Sequence, residues 1–211
     1  MKIALINGSP KVKYSSSECV LQALKSILPK EHEVMEYHFR MSNLSEFNLE
    51  QIRESDILVF AFPLYVDGIP SHLINCLYQI ERFFNTKPLR EITVYAIVNC
   101  GFYEGKQNVI ALEMIKNWCE KTKLNWGQGI GIGGGGMLPM LAGLPDGKGP
   151  KKNLSKALKT IANSIAIGVT EDDIFISPNF PRFAYKFAAE MGWRKQIKEN
   201  GLRGKDLFIK K

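Results

Sequence analysis

Three dense apolar runs, residues 3–6 (IALI), 56–62 (DILVFAF) and 92–98 (ITVYAIV), constrain this chain more than any other feature. Each is too short to be a long helix and lacks the polar alternation of a half-exposed strand. Each therefore reads as a strand buried on both faces, as in a parallel sheet. Between them the period becomes helical. Residues 18–28 carry Cys19, Leu21, Leu24, Ile27 and Leu28 before Pro29 stops the run, and residues 43–55 carry Leu44, Phe47, Leu49 and Ile52. Residues 71–84 present Leu73, Ile74, Leu77, Ile80 and Phe84, and residues 107–122 present Val109, Leu112, Ile115 and Trp118. With weaker strands at 33–39 and 126–132 and a further helix at 152–167, the alternation predicts a three-layer α/β/α sandwich around a five-stranded parallel sheet.

Composition narrows what such a sheet serves. At 211 residues the chain suits one sizeable α/β domain, and no Pro/Ser-rich linker divides it. The start, MKIALING, lacks the longer apolar region of a secretory signal, and no run reaches the length of a membrane span; the expectation is a cytoplasmic protein. Cys19, Cys76, Cys100 and Cys119 are scattered without a Cys-x-x-Cys pair, which suggests neither zinc nor a disulfide framework. His32, His38 and His72 show no triad or metal spacing. The net charge of +7 lies wholly in residues 151–211, because residues 1–150 hold 15 basic and 15 acidic side chains. No nucleic-acid motif accompanies it, so a solvated basic face or attraction to an acidic cofactor or partner is the expectation.

Each strong strand empties into an unusual loop. The first, INGSPKVKYSSS, turns at Asn7-Gly8 and offers Ser9, Ser15, Ser16 and Ser17 with Lys11 and Lys13 before a helix beginning near Ser16. Helix N-termini attract anions, most simply a phosphate, although the same serines also suit plain helix capping. No Gly-Lys-Ser/Thr follows, and the loop is not Gly-x-Gly-x-x-Gly. Residues 63–68 (PLYVDG) and 99–105 (NCGFYEG) bring flat side chains and exposed backbone. Ligands of parallel α/β sheets sit beyond the carboxyl ends of the strands. Together the three loops describe a phosphorylated ligand with a broad planar ring.

These stretches carry a resemblance. Over roughly residues 1–136 the chain resembles the flavodoxin-like NAD(P)H-dependent FMN reductase family and its iron-sulfur flavoprotein relatives, through INGSPK with SSS, FPLYVDGIPSHL and VNCGFYEG. The resemblance implies a flavodoxin-like fold over residues 1–170 with a basic helical extension at 171–211, packed on the same domain or on a second subunit. It implies that Ser9, Ser15, Ser16 and Ser17, with Lys11 nearby, hold the FMN phosphate. Pro63, Leu64, Tyr65 and Val66 would border the ribityl chain and ring, and Asn99, Gly101, Phe102 and Tyr103 would flank the ring's polar edge. NAD(P)H would deliver hydride to flavin N5, so no protein catalytic residue is required. A homodimer follows from the same resemblance, with a small-molecule or redox-protein acceptor, no nucleic acid and no metal. Two departures stand out. The iron-sulfur members' cysteine cluster has no counterpart at residues 40–55, and Ser-Ser-Ser replaces the Asn-Thr of many relatives in a loop one residue longer. The rival readings are a flavodoxin-type electron carrier and a flavin-free binding protein on the same fold.

Three later features remain. Residues 131–136 (GIGGGG) match Gly-x-Gly-x-x-Gly by letter but precede no helix, so they are expected to let backbone approach the flavin or another subunit. Residues 137–150, with Met137, Leu138, Met140, Leu141 and Leu144, are too apolar for an ordinary loop and are expected to cover the site or pair subunits. Residues 181–199 place Phe183, Phe187 and Met191 on one helical stripe among basic residues, a stripe expected to dock on the protein's own body or a twin subunit.

Overall fold

A computed structural model describes residues 1–86, 90–141 and 143–208. Residue 142 of the apolar loop and residues 209–211 of the tail lie outside these. Six strands form one sheet in the order β2-β1-β3-β4-β5-β6: β1 (Lys2–Asn7), β2 (Glu33–His38), β3 (Ile57–Pro63), β4 (Thr93–Asn99), β5 (Asn125–Ile132) and β6 (Ile174–Ile176). All pairings are parallel. The five-strand expectation is therefore corrected by β6, whose three residues are too few to show a pattern in the sequence. What holds β6 beside β5 is local: Asp173 accepts from Gly129 N at 2.8 Å and from Trp126 Nε1 at 3.3 Å.

Strand alternation divides the core into two. Ile3, Leu5, Val59 and Ile97 face α1 (Ser16–Lys25) and α5 (Lys152–Ile167), which contribute Val20, Leu24, Leu158 and Ile161. Ala4, Ile6, Leu58 and Phe60 face α2 (Glu46–Arg53), α3 (Ser71–Phe84) and α4 (Val109–Thr122), which contribute Ile52, Leu73, Ile80 and Trp118. Burying each large aliphatic side chain is worth about 1.5–3 kcal/mol, so the double-sided strands anchor the fold. Several helix faces are rotated from expectation. In α1 the buried set is Ser17, Val20, Leu21 and Leu24, leaving Cys19 and Ile27 outside it. Phe47, Ile74 and Val109 are exposed, whereas Cys76 and Cys119 are buried.

The topology fixes where a ligand can sit. β1 lies between β2 and β3, so chain direction across the sheet reverses at the β1/β3 boundary, where a crevice opens beyond the carboxyl ends. Register brings the ends together: Asn7 is level with Ala61, Pro63 with Asn99, and Asn99 with Ile132. After β6 the chain enters α6 (Arg182–Glu199), which has no buried residue. No described helix is long and apolar enough to cross a membrane.

Candidate functional site

The first loop is shaped by Asn7, whose Oδ1 accepts from Ser9 N at 3.0 Å and whose Nδ2 donates to Glu18 Oε2 at 2.6 Å. Gly8 leaves no room for a Cβ without a shift of Leu73, since a Cβ there would lie 2.6 Å from Leu73 Cδ2 and 3.1 Å from Phe62 Cβ. Its carbonyl accepts from His72 Nε2 at 3.2 Å, so His72, unremarkable by spacing, clamps the turn. Residues 11–14 then run exposed, with Tyr14 at φ 56°, and Arg40 Nη2 donates to Val12 O at 3.2 Å.

The three consecutive serines have separate tasks. Ser15 Oγ caps α1 by accepting from Glu18 N at 3.0 Å. Ser16 Oγ donates to Gly135 O at 2.7 Å, and Ser17 Oγ accepts from Asn99 Nδ2 at 2.9 Å. The amides of Ser16 and Ser17 head the helix, where backbone donors have no intrahelical partner and the dipole is positive. Ser9 is buried, its hydroxyl accepting from Lys11 N at 3.4 Å, while the Lys11 side chain has no ion-pair partner among the described residues.

Asn99 is the hub. Besides Ser17, its amide donates to Phe62 O at 3.0 Å, so one side chain at the end of β4 ties β3 and α1 together. Leu64 N donates to Asn99 O at 2.8 Å. Beyond Leu64, Tyr65 and Gly68 exchange backbone hydrogen bonds of 3.0 and 3.1 Å around Val66 (φ 49°) and Asp67 (φ 58°), a tight two-residue turn of the primed kind. A β-branched residue in the left-handed region is strained by roughly 1–2 kcal/mol. Val66 is nonetheless fully exposed and Tyr65 half so, which leaves their faces open toward the crevice side of the loop.

The third loop is held from both directions. Gly134 N donates to Phe102 O at 2.6 Å and Gly135 N to Cys100 O at 2.7 Å. A Cβ on Gly133 would sit 2.0 Å from Tyr103 O, so at this position the glycine run accommodates the chain's own third loop, whereas a Cβ on Gly136 would meet nothing within 4 Å. From the far side Tyr185 Oη donates to Gly101 O at 2.6 Å, Tyr103 Oη donates to Phe180 O at 2.7 Å, and Arg182 pairs with Glu104 at 3.1 Å. The Tyr103 and Tyr185 rings lie 5.6 Å apart. Cys100 is packed beneath this loop, and burial pushes its thiol above the ordinary value, which favours the unreactive neutral form. Among the described residues no group of three or more His, Cys, Asp or Glu side chains could hold a metal ion.

The donor set fits a phosphorylated flavin. Helix-head amides, the Ser9 hydroxyl and the Lys11 cation suit a phosphate, and the buried Arg40 Nε beside the first loop has no hydrogen-bond partner among the described residues. A Cβ on Gly101 would meet nothing within 4 Å, so the third loop is uncovered at this residue. Pro63, Leu64, Tyr65 and Val66 converge with Asn99, Gly101 and Phe102 on one sheet edge, while Tyr103 turns away to the segment before α6. Arg40, His72 and the bonding of the third loop by Tyr185 were missed by sequence reasoning. Only Arg40 had a signal, a basic residue just past β2 on that edge.

The family model for NADPH-dependent FMN reductases matches residues 1–120. No curated protein matches the chain. Solved structures share the fold: an NADPH-quinone reductase from P. pentosaceus has 16% identity and TM-score 0.58, covering 77% of this chain and 98% of that one. An NAD(P)H:quinone oxidoreductase from Methanothermobacter marburgensis has 16% identity and TM-score 0.56, covering 79% and 94%. Smu.1420 from Streptococcus mutans UA159 has 14% identity and TM-score 0.55, covering 77% and 98%. With more than half the chain matched and the flavodoxin-like parallel sheet in place, this protein belongs to the NADPH-dependent FMN reductase family, an NAD(P)H-dependent oxidoreductase with FMN as its cofactor.

Proposed function

We propose that the chain holds FMN across the β1, β3 and β4 loops and reduces a small-molecule acceptor at the expense of NAD(P)H. The observation that carries this is the Asn99 hub, which locks the three loops into one frame through Ser17 and Phe62. In this reading the amides of Ser16 and Ser17, the Ser9 hydroxyl and the Lys11 cation bind the phosphate. Ser15 presents the helix head by capping it, with Arg40 steadying the loop at Val12. Tyr65 and Val66 lie along one side of the ring, and Asn99, Gly101 and Phe102 along its polar edge, with Tyr103 supporting that edge from behind.

The chemistry supplied by a bound FMN is hydride acceptance at N5 and onward electron delivery. The protein's part is to orient the ring, shield it from water and leave one face reachable. The P. pentosaceus and M. marburgensis proteins are named for quinone reduction, which makes a quinone the first acceptor to assay, ahead of nitro compounds, free flavin or a protein. A homodimer is supported by the exposed Phe183, Phe187 and Met191 on α6, and four free thiols suit a reducing compartment such as the cytoplasm. The test is a visible spectrum of the purified protein, followed by anaerobic addition of NADPH or NADH. A yellow protein that bleaches with either donor is expected. A protein that refuses added FMN, or stays yellow with both donors, would overturn the reading.

A further inference from the structure

Asn7 shapes the first loop, and what holds Asn7 in turn is a titratable pair. Strands β1 and β2 run level here, with Asn7 opposite His38. Both side chains reach α1 and meet on one oxygen: Glu18 Oε2 accepts from Asn7 Nδ2 at 2.6 Å and lies 3.6 Å from His38 Nδ1. His38 Nδ1 is itself 3.5 Å from Asn7 Nδ2, which closes a triangle. Glu18 stands in the first turn of α1, the helix whose head amides face the phosphate position.

The neighbouring charges leave Glu18 to His38. Glu36, two residues back on β2, pairs with Lys25 and accepts from Gln22 Nε2 at 2.6 Å; the same Gln22 nitrogen donates to Glu18 Oε1 at 2.9 Å. Arg40, two residues on from His38, is turned to Val12 O. Among the described residues His38 is therefore the cation-forming side chain within ion-pair reach of Glu18. The two side chains are 38% and 32% exposed, so protons exchange with solvent at this corner. Imidazoles gain their charge between about pH 5 and 8. A neutral ring leaves the carboxylate's charge whole, and that charge opposes a phosphate held at the head of the same helix. An imidazolium turns the 3.6 Å contact into an ion pair and cancels it, while Asn7 keeps its bond to Glu18.

We propose that His38 is a positioning residue for the cofactor: by taking a proton beside Glu18 it neutralises that carboxylate under the phosphate loop, so that FMN uptake is coupled to proton uptake. The inference rests on the flavin reading above. Affinity for FMN then strengthens as pH falls through the imidazole range, and by linkage bound FMN favours the protonated ring to the same extent. Riboflavin, which has no phosphate, gains nothing from the proton.

The experiment titrates the full chain, stripped of flavin, with FMN and with riboflavin, following flavin fluorescence at constant ionic strength from about pH 5.5 to about pH 8.5. Affinities of wild type and His38→Gln are compared at each pH, which cancels the titration of the FMN phosphate itself. For FMN the ratio should be near one at the alkaline end and rise to about fivefold in favour of wild type at the acid end. For riboflavin it should stay level with pH. Glu18→Gln keeps an oxygen for Asn7 without the charge, so in that background His38→Gln should change nothing at any pH. A level FMN ratio overturns the proposal. So does a riboflavin ratio that tracks the FMN one, or a His38→Gln effect that persists beside Glu18→Gln, since either marks a purely structural role. All three results leave the flavin reading standing, because FMN is bound in each. Wild type that takes up no FMN at any pH overturns the flavin reading and this inference with it.

Discussion

At the scale of single residues, the site depends on side chains that hold the chain to itself. Asn99→Ala removes two buried hydrogen bonds, leaving the Ser17 hydroxyl without its donor and the Phe62 carbonyl with one fewer; buried polar groups short of partners cost about 1–3 kcal/mol each. The expected outcome is a loss of about 2–3 kcal/mol in urea unfolding, together with weaker FMN uptake, because three loops loosen at once. Val66→Asn should do the reverse to stability. Asparagine tolerates the left-handed region, so relief of the φ 49° strain should add about 1 kcal/mol, read from the urea midpoint. The serines show what was legible at this scale. Their residue types announced a helix head, but the partners of Ser16 and Ser17 lie 119 and 82 residues away, and nothing local in the sequence points to them.

At the scale of elements, the strands were legible and the helix faces only partly so. Residues 57–62 are apolar throughout and residues 94–98 nearly so, and burial on both sides needs no choice of phase. Helix α1 does need one, and its short apolar run admits two phases, of which packing against β1 and β3 selects the one containing Val20. Helix α6 was legible as a helix but not as a support of the third loop, because its contacts with that loop run through tyrosine hydroxyls and backbone carbonyls. Those contacts are testable. The double variant Tyr103→Phe, Tyr185→Phe removes the bonds to Phe180 and Gly101 without touching either core. Limited proteolysis within residues 181–200 should quicken several-fold, while the melting temperature falls by no more than about 2–4 °C, as expected for about 1 kcal/mol in a chain of this size.

At the scale of the whole molecule, the buried titratable groups limit stability on the alkaline side. Burial pushes Cys76 up to about 11, and Cys119 and Tyr95 each up to about 12. All three are neutral when protonated, so the folded state holds its protons more tightly than the unfolded chain does. Their contribution is complete below about pH 8, where the unfolded thiols begin to ionise, and drains away as pH rises toward 12. Urea midpoints should be insensitive to these groups below about pH 8 and fall above it, with Tyr95→Phe flattening the part of the fall above pH 10. The uneven charge was legible at this scale, and so was the parallel sheet; the edge strand β6 was not, since it is made by a segment that meets β5 only after the body has formed. The bond from Ser16 to Gly135 sets a clock on that process. At roughly 5–20 residues per second of synthesis, the first loop waits about 6–24 s between its own appearance and that of the carbonyl that completes it, so a nascent chain spends that interval with a helix head made and its clasp still inside the ribosome.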